Sequence, residues 1–233
     1  MAEYEGDDLI IAMGAPGSRW SGSIRAIQTS VDVNTTDDDS ERIYDLVDGE
    51  MPLGWHRGAY WGPYHEFGNN FDRLDDLTKE EVVSEFKRPF SNWNHGIKII
   101  KSHWFSYHIP LLREWFPKAK LIAFYMPDDF CFDWWHKVGG WNITYPHYEW
   151  YENDERMRLQ IEIENACIQQ AFPVLENLSL EEIHKKLGLS TQLISDHEID
   201  EWDKKLPQLR EIFNKSNQEV LNNTVYRTFT GIQ

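Results

Sequence analysis

The N-terminal part of the chain contains a continuous apolar segment that is followed directly by a glycine-containing segment. Residues 9–13, Leu-Ile-Ile-Ala-Met, are followed at once by Gly14-Ala-Pro-Gly17. A segment that is apolar at every position is typical of a strand buried on both faces of a parallel sheet. Residues 18–29 then have helix-compatible composition, with Ile24 and Ile27 three positions apart. This pattern predicts a strand, a loop and a helix, which is the opening of many phosphate-binding α/β domains.

The middle of the chain alternates strand and helix patterns. It predicts a strand at 97–101, a helix at 106–116 ended by Pro117, a strand at 120–125 and a helix from Asp128 or Asp129 to Val138. Strands separated by single helices at this spacing form parallel sheets, because each crossover returns the chain to the same edge. We therefore expect an α/β fold in which a parallel sheet lies between two layers of helices.

The remaining segments complete a prediction of one α/β domain over residues 1–233. Residues 30–50 are polar and acidic and are interpreted as a surface loop or lid, since their carboxylates lack the spacing of a calcium-binding loop. Residues 150–233 are expected to form a helical C-terminal part, with helices at 154–172, after Ser179 and at 207–221. The patterns Thr78-Lys-Glu-Glu81 and Ser179-Leu-Glu-Glu182 are capping boxes that predict helix starts.

The charge balance narrows the classes of partner. The 233 residues include 23 Lys and Arg against 39 Asp and Glu, a formal net charge of −16. Nucleic acids are held mainly by basic side chains on phosphates, so the composition argues against a nucleic-acid-binding protein. The acidic N-terminus does not resemble a signal peptide and no apolar run is long enough to span a bilayer. We therefore predict a cytoplasmic protein without a membrane partner; the sequence does not indicate its oligomeric state.

Aromatic residues and cysteines add less specific information. The chain contains 11 Trp, 10 Tyr and 12 Phe, and an aromatic core is favoured over aromatic ligand walls. Trp134 and Trp135 are expected in that core, whereas Trp20 and Trp104 directly follow candidate site residues and are candidates for stacking on a base or an aromatic acceptor. The two cysteines belong to no metal-ligand spacing, and no metal is predicted.

The loop after the first predicted strand is the first candidate site. Its backbone N–H groups and the following helix N-terminus can bind a phosphate or sulfate without a lysine. Compared with the G-x-x-x-x-G-K-[ST] motif, Arg19 replaces the last Gly and Trp20 the Lys, which disfavours an ATPase or kinase that uses the loop Lys. The candidate cofactor-binding residues are Gly14, Gly17, Ser18, Arg19, Trp20 and Ser21.

The second candidate site gives a family resemblance. Residues 99–103 read IIKSH, and residues 125–136 read YMPDDFCFDWWH. These segments resemble the sulfotransferases that use 3′-phosphoadenosine-5′-phosphosulfate (PAPS), which carry I-I-K-T-H after a strand and then R-x-P/A-x-D-x-x-x-S-x-x-H. The similarity extends from Leu9 to about Gly140. The positions that match are Lys101, His103, Pro127, Asp129 and His136.

This resemblance implies a P-loop NTPase-like sulfotransferase fold with PAPS as co-substrate. His103 would be the catalytic base, a task that suits an imidazole because histidine side chains titrate near neutral pH. Lys101 would help to neutralise the transferring sulfonate, and residues 17–21 would hold the 5′-phosphosulfate. The implied reaction is sulfuryl transfer to a hydroxyl or amine of a small acceptor. An acidic exterior disfavours polyanionic acceptors.

Several positions depart from the family pattern and leave two alternatives open. Tyr125 replaces the Arg that binds the 3′-phosphate, Asp133 its partner Ser, and Gly17 the loop Lys; the C-terminal R-K-G-x-x-G element has only a faint echo in Arg227-Thr-Phe-Thr-Gly231. A catalytically inactive binding or regulatory protein on the sulfotransferase fold is one alternative. A P-loop phosphotransferase in which Arg19 is the loop cation is the other.

Overall fold

The computed structural model describes residues 4–37, 59–60, 71–137, 152–195 and 228–233. Its strands are β1 (Leu9–Gly14), β2 (Ala59–Tyr60), β3 (Lys98–Lys101), β4 (Lys120–Tyr125), β5 (Glu176–Asn177) and β6 (Phe229–Ile232). Its helices are α1 (Trp20–Ile27), α2 (Lys79–Lys87), α3 (Ile109–Trp115), α4 (Asp128–Lys137), α5 (Asp154–Ala171) and α6 (Leu180–Leu187). Two 3-10 helices span Phe71–Asp76 and His103–His108.

The strands form one mixed sheet in the order β2-β3-β1-β4-β6-β5. The first four strands in this order are parallel, with β1 between β3 and β4. β6 runs antiparallel to β4, and β5 runs antiparallel to β6 and so in the direction of the first four strands. The prediction of an α/β fold is therefore confirmed, whereas the prediction of an all-parallel sheet was wrong at one edge.

The strand β1 lies at the centre of the sheet and is buried at all six positions, as its unbroken apolar pattern predicts. Alternate side chains enter two different hydrophobic cores because successive residues of a strand point to opposite faces. Leu9, Ile11 and Met13 pack with residues of α2, α3 and α5. Ile10 and Ala12 pack with residues of α1 and α6. Helices thus cover both faces of the sheet, which confirms the three-layer arrangement.

Local sequence determines where several helices begin. Both predicted capping boxes are present: Thr78 caps α2 through the backbone N–H of Glu81, and Ser179 caps α6 through that of Glu182. The helix predicted at 106–116 is instead the 3-10 helix His103–His108 followed by α3. Pro110 explains this division, since proline lacks an N–H and is best tolerated in the first turn of a helix.

The C-terminal part is not purely helical, contrary to the prediction. Helices α5 and α6 are present, but β5 and β6 extend the sheet beyond β4. Gly231, read in the sequence as a motif echo, lies in β6 against Phe172, where a Cβ would approach Phe172 side-chain atoms to 2.7 Å. A four-residue strand containing threonine and glycine carries too weak a pattern to be distinguished from a loop without its partner strand.

Some predictions fall outside the described residues. They are the larger part of the acidic segment at 30–50, the end of the predicted fourth helix at Val138, the helix at 207–221 and Arg227. The interpretation of residues 1–233 as a single domain likewise stays a prediction.

Candidate functional site

The two candidate segments meet at one edge of the sheet. Ala12 of β1 is in register with Lys101 of β3, and the backbone N–H of Ser102 donates to the carbonyl of Ala12 at 3.1 Å. Because β1 and β3 are parallel, their carboxyl ends lie at the same edge of the sheet. The loop that follows β1 and His103, which follows β3, are therefore both at this edge. This is the edge at which ligands bind in open α/β sheets.

The loop after β1 is packed closely against α4. Gly17 has a positive φ of 78°, and a Cβ at this position would overlap the carbonyl oxygen of Cys131. The backbone N–H of Ser18 donates to the carbonyl of Ala15 at 3.0 Å, which closes the turn. Gly14 is also constrained by packing, since its Cβ would lie 2.6 Å from the Cβ of Trp20. The two glycines are therefore required by close packing of the loop.

The end of this loop has features that suit an anion. Ser18 is fully buried, and its Oγ has no hydrogen-bond partner among the described residues. The helix α1 follows directly, and the side chain of its N-cap residue, Arg19, makes no capping hydrogen bond. Ser21 lies partly exposed in the first turn of α1. Helix N-terminal N–H groups and a buried hydroxyl are donors of the kind that bind phosphate or sulfate.

The side chain of Arg19 is buried against aromatic rings and is not an exposed cation. Its backbone is left-handed, with φ 65°, and its side chain is buried. The guanidinium carbon lies 3.6 Å from the centre of the Trp134 ring and 5.3 Å from that of Phe130. This is cation–π geometry, which retains the positive charge while fixing the arginine against α4. The loop and α4 are thus joined through both Gly17 and Arg19.

His103 forms a buried pair with a carboxylate that the sequence motifs do not include. Its Nδ1 lies 2.9 Å from Oε1 of Glu164 in α5, and the two side chains are 3% and 0% exposed. Gln160, one turn earlier in α5, donates from Nε2 to the same oxygen at 2.7 Å. Gln160 also donates to the hydroxyl of Tyr107 in the 3-10 helix. The imidazole is therefore held by a network that extends to α5.

The ionisable groups of this network lie in a buried environment, and burial shifts several of their pKa values. Burial raises the pKa of Glu164, while the nearby His103 opposes the shift by favouring the ionised carboxylate. Burial also raises the pKa of Tyr107, and the charge of Glu164 adds to that shift. Neighbouring Cys131 has its pKa raised to about 12, mainly by burial, so its thiol stays protonated. Charges in this region interact strongly because little water screens them.

Glu164 was missed because the motifs end near residue 136, but the sequence does contain a signal for it. The buried stripe of α5 includes Met157, Ile161 and Ile168. Glu164 follows Ile161 by three residues and precedes Ile168 by four, so it occupies an apolar position of that stripe. Carboxylates are rarely fully buried unless they are paired. An ionisable residue on the core face of a helix is therefore a marker for a buried polar partner.

The other predicted site residues lie in or beside the two cores. Lys101 is the last residue of β3 and is buried. Trp20 packs in the core that lies between the sheet and helices α1 and α6. Trp104 packs in the core on the opposite face, and the centre of its ring lies 4.6 Å from the centre of the His103 ring. Both indoles are almost fully buried. The structure therefore favours core packing for them over stacking on a ligand.

The positions expected to hold a 3′-phosphate do not supply a cation. The side chain of Asp133 in α4 is exposed, and the ring of Tyr125 packs against Phe229 with centres 6.2 Å apart. Burial raises the pKa of Tyr125, so the phenol stays neutral. Two unit charges 4 Å apart repel by about 1 kcal/mol in water, against about 4 kcal/mol at an effective dielectric of 20. The exposure of Asp133 therefore weakens its repulsion of a phosphate without removing it.

Within the described ranges, no group of three or more His, Cys, Asp or Glu is placed to hold a metal ion. None of the described helices is long and apolar enough to cross a membrane. No protein-family model, curated protein or solved structure significantly matches this chain. The resemblance to sulfotransferases consequently stays a prediction that rests on the sequence motifs.

Proposed function

We propose that this protein transfers a sulfuryl group from PAPS, or from a related donor without the 3′-phosphate, to a hydroxyl or amine of a small acceptor. The observation that carries the proposal is the placement of a carboxylate-bound histidine, His103, at the same sheet edge as the loop from Gly14 to Ser21. A base oriented by a third group beside an anion-binding loop is an arrangement that suits group transfer. The IIKSH and downstream motifs select sulfuryl transfer among such reactions.

In this proposal each segment has a defined task. The N–H groups at the start of α1 and the Ser18 hydroxyl bind the 5′-phosphosulfate. His103 takes the proton from the acceptor as the acceptor atom attacks sulfur, and Lys101 offsets the negative charge on the sulfonate. The bond from sulfur to the bridging phosphate oxygen breaks, and the nucleotide leaves with the electron pair. No residue described here supplies the usual cation for the 3′-phosphate, which is why a donor lacking it is included.

The proposal predicts separable effects on binding and turnover. Calorimetry should detect binding of adenosine 3′,5′-bisphosphate, or of adenosine 5′-phosphosulfate if the donor lacks the 3′-phosphate. In assays with PAPS, or with adenosine 5′-phosphosulfate in that second case, and a panel of small alcohols, phenols and amines, His103→Ala should lower kcat by about 10²–10⁴-fold, the usual contribution of a general base. Its affinity for the nucleotide should change by no more than about twofold, because the base contacts the acceptor.

The exposed His95 supplies a matched control, since it lies outside the site. His95→Ala should retain wild-type kcat and nucleotide affinity. The proposal is rejected if neither nucleotide binds or if His103→Ala turns over at the wild-type rate.

A second candidate function is a binding or regulatory protein without catalysis. The observation that favours it is the burial of His103, which is 3% exposed, because a general base must reach its acceptor. On this alternative the nucleotide, or another anion, binds at the loop without any sulfated product. Nucleotide binding combined with no turnover by the wild-type protein across the acceptor panel would support it against the first proposal.

A further inference from the structure

The hydrogen-bond network around Glu164 determines which nitrogen of His103 carries the hydrogen. Oε1 of Glu164 accepts a hydrogen bond from Gln160 Nε2 at 2.7 Å and lies 2.9 Å from His103 Nδ1. Gln160 Nε2 is an amide donor, so it engages Oε1 as an acceptor. A carboxylate oxygen can accept two such bonds, and the second is completed by a hydrogen on Nδ1. The neutral imidazole is therefore protonated at Nδ1, and a proton arriving from an acceptor goes to Nε2.

The position of Glu164 is itself strongly constrained. It is fully buried, and its neighbour Asn165 donates to the carbonyl of Met126 at 2.9 Å and to Asp128 at 2.6 Å. These bonds fix α5 against the start of α4, while Gln160 joins α5 to Tyr107 in the 3-10 helix that carries His103. Helix α5 is thus hydrogen-bonded to its neighbours just before and just after Glu164 in sequence. These bonds hold the carboxylate in place against the imidazole of His103.

We infer that Glu164 is a positioning residue for sulfuryl transfer: it holds His103 in the Nδ1–H tautomer and stabilises the imidazolium formed during the reaction. This inference rests on the proposed function, because it assigns a role relative to His103 as the base. Glu164 itself does not contact the donor or the acceptor. Glu164 lies in α5, outside the segments that resemble the family.

The acceptor oxygen or nitrogen forms a bond to sulfur while its proton passes to Nε2 of His103. The bond between sulfur and the bridging oxygen of the donor breaks, and the nucleotide takes that electron pair. The imidazolium then has the buried Glu164 carboxylate as its counter-charge, and such a pair interacts more strongly at a buried position than in solvent. His103 afterwards returns the proton to solvent.

The test uses Glu164→Gln, which keeps the shape of the side chain and removes its charge, with Glu162→Gln as control. Glu162 lies two residues earlier on α5, and its side chain is exposed. Glu164→Gln should lower kcat by about 10²-fold or more, while KM for PAPS, or for adenosine 5′-phosphosulfate if that is the donor, stays within about twofold of wild type. The acid limb of its pH–rate profile should move to lower pH, because the protonated ring loses its counter-charge. Glu162→Gln should match the wild type in all three measurements.

A measurement on the wild-type protein keeps the inference testable even if Glu164→Gln folds poorly. Two-bond ¹H–¹⁵N correlation spectra, with the His103 signals assigned by their loss in His103→Gln, report which ring nitrogen is protonated. We expect the Nδ1–H tautomer at pH 8. Observation of the Nε2–H tautomer would overturn the inference.

The outcomes separate this inference from the proposed function. If His103→Ala abolishes turnover but Glu164→Gln leaves kcat and the pH profile unchanged, sulfuryl transfer stands and the positioning role is overturned. If neither donor is used by the wild type, the proposed function fails and the catalytic role of Glu164 fails with it. The tautomer measurement then still decides whether Glu164 sets the protonation of His103.

Discussion

At the scale of single residues, the same backbone conformation has different consequences at different places. Gly17 and Gly188 both have positive φ, 78° and 64°, a region that residues with a Cβ rarely adopt. At Gly17 a Cβ would overlap backbone atoms of Cys131, whereas at Gly188 it would meet only the Nζ atom of Lys120, at 2.8 Å. A backbone carbonyl cannot move without shifting α4, but a lysine amine can rotate away.

These two glycines give a matched prediction for stability. Gly188→Ala should lower the free energy of unfolding by about 1 kcal/mol, the cost of a left-handed alanine at a helix C-terminus. Gly17→Ala should lower it by about 2 kcal/mol or more, because the clash adds to the same backbone strain. Urea denaturation of both variants measures the difference. Equal losses would show that the loop and α4 separate easily.

At the scale of elements, α6 is held against α1 in part through a buried histidine. His184 is 1% exposed and has a hydrogen bond with the backbone of Ile27, the last residue of α1. Burial lowers the pKa of His184 from its ordinary value of 6.5, although that hydrogen bond and the charge of Asp32 oppose the shift. The folded protein therefore takes up a proton here less readily than the unfolded chain does, and the contact between these helices is weakened by acid.

The sign of this effect gives a pH prediction. The stability contributed by neutral His184 is fully present above pH 6.5 and is lost as pH falls below that value, because the unfolded chain then binds the additional proton. Between pH 7.5 and 5.5, the free energy of unfolding of His184→Gln should consequently fall less than that of the wild type. Urea titrations at both pH values measure this difference. His95→Gln, at an exposed position, should behave as the wild type, and an unchanged pH dependence in His184→Gln would contradict the assignment.

At the scale of the whole molecule, the net charge of −16 opposes both folding and the binding of an anionic donor. The described ion pairs on the surface, such as Lys186 with Glu176 and Arg158 with Asp129, contribute little, since exposed pairs are typically worth about 0–1 kcal/mol. Repulsion among the excess carboxylates acts over longer distances, and we expect it to outweigh these pairs. Under the proposed function, an anionic nucleotide would therefore be held by local hydrogen-bond donors such as the N–H groups at the start of α1.

This charge predicts that salt stabilises the protein. The Debye length falls from about 30 Å at 0.01 M to about 10 Å at 0.1 M salt, which screens the repulsion. The Tm at pH 7.5 should therefore rise between 10 and 200 mM NaCl, as measured by differential scanning calorimetry. The rise should become much smaller at pH 5, close to the isoelectric point of about 4.9, where the net charge is near zero. A fall in Tm at pH 7.5 would indicate that ion pairs dominate.

Much of the fold could be predicted from local pattern. The apolar run of β1, the strand at 120–125 and the two capping boxes all appear in the structure where the sequence indicates them. These features depend on side-chain periodicity and on hydrogen bonds within three or four residues, so they are readable in one stretch of chain. The antiparallel β6 was not predicted, because a strand of four residues is defined by its pairing with β4, about a hundred residues earlier in the chain.

The candidate site shows the same difference between local features and long-range contacts. The sequence by itself determined the glycine-containing loop, the position of His103 after a strand and the excess of acid, since each is a property of neighbouring residues or of composition. Only the tertiary structure decided that Glu164 pairs with His103, that Arg19 packs on Trp134 and that Gly17 meets Cys131. These contacts join residues between 61 and 115 positions apart, and no local periodicity encodes which distant side chains become neighbours when the helices pack on the sheet.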